Sequence, residues 1–265
     1  LINSRIKRGR ALPEITDRDR AKHWGLLATL LWGTVIAAAY VAVGTIAAGI
    51  YVGVTQGARL SDEYSEAFAN IQYDGMAISV STFATVLICG LLIIVAIKCK
   101  RGSDLKEYLG LTVPSKRETG RWLLFFIGFL IVLDLVTYLL GKPIVPEFMW
   151  RVYSSLESRW VLWIALLVAA PLIEELFFRG FLIKGLAASP LGAVGAVVLT
   201  SAAWALIHVQ YDAYSIGAIF IMGMILGAAR ITTGSTMLPI FLHSVANFVA
   251  TVETAIYLSY FGANG

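Results

Sequence analysis

Charge is what this sequence has least of. Only 14% of its 265 residues are Asp, Glu, Lys or Arg, 58% are hydrophobic, and the mean hydropathy is +0.77. A soluble domain carries about a quarter charged residues, so the composition excludes one and describes a chain threaded repeatedly through a bilayer. Cysteine is nearly missing. Cys89 and Cys99 stand in one apolar run, about 15 Å apart along a helix and too far to bridge, so there is no disulfide framework and no zinc-knuckle spacing. Internal repeats and low-complexity tracts are absent, as is HExxH, the spacing that sets two zinc-binding histidines on one helical face. A pI near 9.1 raises the question of nucleic acid, but the net charge is only +4. The basic residues flank the apolar runs, where they signal topology rather than a phosphate-binding groove.

What the chain does have is length without charge. Runs able to span a bilayer, about 20 residues each, fall at 24–55, 76–98, 122–141, 160–187, 191–210, 214–231 and 236–261. The expected fold is all-α: a polytopic transmembrane helix bundle of seven spans, the first and last over-long, with a polar cavity among spans four to seven. Residues 142–159, "KPIVPEFMWRVYSSLESR", mix aromatics with charge and suit a helix lying in the interface. The chain divides into a basic arm (1–23), an N-terminal membrane section (24–159) and a membrane core (160–265). Lys and Arg crowd the arm and the segment 98–121, with Lys184 and Arg230 on the same side, and are sparse on the other, at Arg59, Lys142, Arg151 and Arg159. The positive-inside rule then places the N-terminus in the cytoplasm and the C-terminus outside. The acidic loop 56–75 agrees, and the membrane is the plasma membrane if the source is prokaryotic.

Against this background the stretch "APLIEELFFRGFLI" (170–183) stands out. A charge at mid-bilayer costs several kcal/mol, so it marks function or a buried polar contact. Residues four apart share a helical face, which stacks Glu175 on Arg179 in the favourable order, acid first. Glu174, turned by about 100°, is left to face something else, and a buried carboxyl without its own cation is a group suited to work as a base. Two later spans carry imidazoles: "WALIH" ends on His208, with Trp204 on its face, and "HSVAN" pairs His243 with Asn247. One intramembrane His or Asn is commonly an interhelical hydrogen-bond partner, and a Glu–Arg pair can be a staple. The whole set in four consecutive spans is hard to explain as packing. Asp134 and Glu253 lack such company: Asp134 is expected to bond to a neighbouring helix or to be protonated, and Glu253 to approach the far interface; His23 is expected to make interfacial contact only. Small residues at 192–203 and 217–229, with Gly223 and Gly227 four apart, suit close helix packing. Counting about 1.5 Å per residue from the cytoplasmic turns puts Glu174 at about 20 Å, His208 at 27 Å, Asn247 at 18 Å and His243 at 12 Å. They share one site only if the hairpin between spans four and five protrudes.

"EELFFRG", "WALIH" and "HSVAN", in this order, resemble the EExxxR, FxxxH and HxxxN motifs of the CAAX-protease and bacteriocin-processing family of intramembrane proteases, the CPBP or Abi family. The resemblance covers roughly 160–250, and "EYLGLTVPSKRETG" (107–120) is similar to a short segment that often precedes the family core. It departs at Trp204, where the family usually has Phe, which is expected to alter the cavity's shape without supplying chemistry. It departs also in span count, since members with eight are known. The resemblance implies a peptide hydrolase in which Glu174 activates water, His208 holds or polarises it, His243 and Asn247 form an oxyanion hole, and Glu175 and Arg179 shape the site. Its partners would be the lipid bilayer and a membrane-associated peptide or protein, prenylated CaaX proteins among them, and no nucleic acid. No cofactor is expected, although two Glu, two His and an Asn could in principle ligate zinc. Two other classes stay open: a non-catalytic membrane scaffold or immunity protein that keeps the polar cluster, and a transporter using the carboxylates as a relay, for which repeat symmetry would be expected and is not seen.

Overall fold

In a bilayer an open backbone has no water to bond to, so apolar runs of this length close their hydrogen bonds within themselves as helices. The computed structural model describes residues 22–55, 70–156 and 158–261, and among them every regular element is helical. Six helices are long and apolar enough to cross a membrane: α1 (Leu26–Thr55), α2 (Gly75–Lys98), α4 (Lys116–Leu139), α6 (Trp160–Ala187), α8 (Ala213–Thr233) and α9 (Met237–Phe261). α7 (Gly192–Leu206) is apolar but only 15 residues long, about 22 Å, and stops before the expected end at 210. Two short helices lie between spans, α3 (Leu105–Leu109) and α5 (Glu147–Ser154). The protein is a multi-pass helical membrane protein. The basic arm up to residue 21 and the acidic loop from 56 to 69 lie outside the described residues.

Local chemistry sets the helix ends. Asp74 caps α2 by accepting from the Met76 and Ala77 amides, Ser115 and Glu118 close a reciprocal capping box on α4, and Asp212 caps α8 through the Ser215 amide. Those same hydrogen bonds from Ser215, with Lys142 at 3.3 Å, hold the Asp212 carboxyl below the usual carboxylate range. We call the face where α1 begins the near face. There the Trp24 indole donates to the Ala96 carbonyl, tying the start of α1 to the end of α2. His23 is buried against the Tyr108 ring, centroids 5.0 Å apart, rather than left at the interface. The segment after α3 is stitched to the turn between α8 and α9. Thr236 donates its amide to Gly110 and its hydroxyl to Leu109, and Ser235 bonds to Thr112. Gly110 is in the left-handed region, φ +65°, and a side chain there would meet the Arg230 guanidinium at 2.6 Å.

Outer and inner helices differ as their sequences suggest. α1 and α4 leave large apolar side chains such as Leu27 and Leu124 exposed where lipid would cover them, whereas α6 is buried almost all round from Pro171 to Leu186. Small residues let the inner helices close in. A methyl at Gly227 would lie 2.7 Å from Val197, and at Gly223 3.0 Å from Ser201, so α8 rests directly on α7. Gly185 of α6 is tightest, since a Cβ there would fall 1.9 Å from the Thr29 hydroxyl of fully buried Thr29. Gly185→Ala is therefore expected to destabilise the protein by about 1–3 kcal/mol through overpacking, read as a lowered unfolding midpoint in detergent.

One expectation is met and two are corrected here. Asp134 of α4 meets a neighbouring helix, as expected: its carboxyl lies beside that of Glu253 on α9. Arg230 is not a surface charge marking topology but a side chain 4% exposed inside the bundle. α6, read as one regular span, is interrupted twice by wider π turns, at Ala165–Ala169 and Leu176–Leu182.

Candidate active site

The two π turns explain how α6 is held. The Ala170 amide bonds to Ala165 and the Ile183 amide to Phe178, each five residues back. A helix returning from that spacing to the usual four skips one carbonyl, Leu166 in the first case and Arg179 in the second. Each skipped carbonyl finds a side-chain donor on another helix. Asn247 Nδ2 of α9 donates to Leu166 at 2.7 Å, and Arg230 Nε of α8 donates to Arg179 at 2.9 Å. Pro171, which has no N–H to give, lies just after the first turn. Glu174 and Glu175 occupy the short α-helical segment between the two interruptions, a placement common at functional sites.

Around these acids the structure assembles two linked groups. In the first, Glu175 is fully buried and its Oε1 accepts from Arg179 Nη1 at 2.9 Å and from His243 Nδ1 at 3.0 Å. Arg179, also fully buried, donates through Nη2 to the Gly223 carbonyl at 3.1 Å and lies 4.6 Å from the Trp204 ring centroid. In the second, Trp204 Nε1 donates to Glu174 Oε2 at 2.6 Å, and the Trp204 carbonyl is 2.8 Å from His208 Nδ1. A carbonyl only accepts, so His208 carries a proton on Nδ1, and in the neutral ring Nε2 is then the lone-pair nitrogen. Trp204 joins the groups, its ring edge-on to His208 at 5.2 Å and to His243 at 5.1 Å. All seven residues singled out in the sequence thus sit on α6, α7, α9 or the turn after α7.

His208 is placed differently from the expectation of a shared helical face. α7 ends at Leu206, and the His208 amide bonds to Ala205, three residues back, which frees the Trp204 carbonyl for the imidazole. The turn then stacks Tyr211 on His208, centroids 6.3 Å apart, and Phe148 of α5 meets Tyr211 edge-on at 5.5 Å. The interfacial helix therefore covers the His208 side of the centre from the far face.

Sequence reasoning passed over four residues. Tyr211 and Tyr40 both lie close enough to Glu174 to feel its charge, but tyrosine in a membrane chain carries no pattern that would single it out. Arg230 carries a signal only in hindsight, as a cation at the end of an apolar run. Pro171 was the clearest clue, a helix-breaking residue three positions before the first glutamate. Tyr40 also lines a cavity of about 350 Å³ between α1 and α2 that reaches Gln72 near the far face, with Thr45, Ser81, Thr82 and Thr85 along its wall. Among the described residues, no three of His, Cys, Asp and Glu form a group able to hold a metal.

The helices and this centre define a polytopic membrane protein with two carboxylates, an imidazole and a guanidinium buried at its centre and a second imidazole half-buried beside them. Comparison with known proteins adds a resemblance over part of the chain: residues 155–249 match the family described as type II CAAX prenyl endopeptidase Rce1-like, in agreement with the three motifs. A protein of Escherichia coli described as "Uncharacterized 24.3 kDa protein" is 29% identical over 130 residues, 46% of this chain and 59% of that protein. The chain thus spans about 59% of the length of this relative. No solved structure matches the chain.

Proposed function

We propose that this protein is an intramembrane endopeptidase in which Glu174 activates water against a peptide bond of a membrane-associated, CaaX-type prenylated protein or peptide. The observation that carries the reading is the convergence of Glu174 and His208 on one residue, Trp204. A carboxylate and the free Nε2 of an imidazole are the two acceptors that a nucleophilic water needs. In this mechanism Glu174 takes a proton from water as its oxygen bonds to the scissile carbonyl carbon, then passes it to the departing nitrogen as the C–N bond breaks. The products are a carboxylic acid and an amine, and Glu174 is returned ionised.

The negative charge on the carbonyl oxygen is met from α9. Asn247 spends one amide hydrogen on Leu166 and has a second to give. His243 has already committed its Nδ1 to Glu175, so it can donate to an oxyanion only through Nε2–H, as an imidazolium. In that form the two glutamates would be matched by one guanidinium and one imidazolium. Losing one such donor typically costs on the order of 100-fold to 1000-fold in rate. The scheme asks nothing of a metal ion. It places the N-terminus in the cytoplasm, on the strength of the basic residues at the near face.

The test is cleavage of labelled peptides, prenylated CaaX and unmodified, by purified protein with and without a chelator. Cleavage of the prenylated peptide that survives the chelator is the expected result. Loss with chelator would replace the scheme by zinc chemistry, and no cleavage of either peptide would favour a scaffold that keeps the cluster for stability.

A further inference from the structure

Trp204 is the largest fully buried side chain among the described residues, and its indole makes a hydrogen bond that phenylalanine, with no polar atom, cannot make. We propose that Trp204 is a positioning residue for Glu174: its Nε1–H fixes the carboxylate so that Oε1 is the oxygen presented to water. This rests on the reading of Glu174 as the base.

The geometry supports it from several sides. The bond is short, 2.6 Å, and buried, where a charge-assisted hydrogen bond is strongest. The indole is itself immobilised. The Arg179 guanidinium lies 4.6 Å from its ring centroid, His208 and His243 close its edges, and Gly223 offers so little space that a methyl there would sit 3.1 Å from Trp204 Cε3. A donor held this firmly selects one carboxylate orientation, because Oε2 cannot turn away without stranding a buried N–H. The main chain of the same residue sets the His208 tautomer. One residue thus aligns both partners of the water, the carboxylate through its side chain and the imidazole through its carbonyl, and only the first contribution depends on its being tryptophan.

The experiment replaces the indole in the full chain in two ways: Trp204→Phe, and benzothienylalanine at position 204, which keeps the bicyclic shape but puts sulfur where the N–H was. Both are expected to lower kcat on the order of 10-fold to 100-fold, the cost of a misaligned reacting group, with KM unchanged. The benzothienyl variant guards against a cavity effect of Trp204→Phe. A second readout needs no catalysis. In ¹⁵N-tryptophan-labelled protein, the indole resonance that Trp204→Phe removes should move on Glu174→Gln. Wild-type kinetics in the benzothienyl variant, or an indole resonance indifferent to Glu174→Gln, overturns the proposal. Should the unaltered protein cleave no peptide, the catalytic reading falls and the positioning role falls with it, while the resonance still decides whether the two side chains are bonded.

Discussion

Glu174→Gln is expected to remove peptide hydrolysis, lowering kcat/KM by about 1000-fold or more, while the protein stays folded. Glutamine keeps the shape of glutamate and an oxygen to accept from Trp204, whose indole is 2.6 Å from Oε2, so packing survives and the indole bonds to a neutral, weaker acceptor in place of a carboxylate. What it cannot do is take a proton from water, and general base catalysis is worth about 100-fold to 10,000-fold. The measurement is steady-state cleavage of the prenylated peptide beside an unfolding curve in detergent. An unchanged rate would mean that the proton goes elsewhere, with His208 Nε2 the remaining acceptor on Trp204. Glu174→Asp makes a useful companion, since it keeps the charge but withdraws it by one methylene from both the indole and the water.

Arg179→Met should fail in a different way, by loss of the folded protein. The guanidinium is fully buried and bonds Glu175 and the Gly223 carbonyl. Without it, Glu175 retains only the His243 contact inside the bundle. Removing one partner of a buried pair costs about 3–5 kcal/mol, because the other charge is left stranded. Arg179→Lys is expected to fare little better. One ammonium cannot reach Glu175 and Gly223 together while covering the Trp204 ring with a flat cation. The informative case is the double variant Arg179→Met with Glu175→Leu. Deleting both charges should recover most of the lost thermal stability, since an apolar replacement of a buried pair is often neutral, yet leave peptide cleavage at background. Recovery of stability and activity together would reduce the pair to a staple with no part in the chemistry.

Much of this architecture was legible in the sequence. Apolar length fixes the spans, because lipid permits no other backbone, and the aromatic and charged mixture at 142–159 announced α5 (Glu147–Ser154). The polar residues were legible because they are costly where they stand, and i, i+4 spacing gave the Glu175–Arg179 pair directly. Depth arithmetic was less successful, for physical reasons that can be named. It assumed one rise per residue, whereas α6 widens twice around the glutamates, and it treated residues 191–210 as one span, whereas α7 stops at Leu206 and His208 turns back onto the Trp204 carbonyl. The Asp134–Glu253 pair was hidden for another reason. The two residues are far apart in sequence, and no local pattern says which helices will be neighbours. Trp204 was underrated as a matter of shape, because a motif position says nothing of where the indole N–H points.

The two π turns of α6 have a consequence for how this chain can vary. Each is in effect one surplus residue carried inside an ordinary helix, and losing it would let the helix relax to regular winding. That would rotate everything on one side of the loss by about 100° relative to the other. A deletion anywhere in 165–169 would swing the Asn247 anchor out of phase with the glutamates, and one in 176–182 would do the same to Arg230. The number of residues between Ala165 and Leu182 is therefore under tighter constraint than the identity of most of them. Relatives that keep this site can exchange side chains along that stretch outside the polar centre and the buried contacts, but they cannot change its length by one.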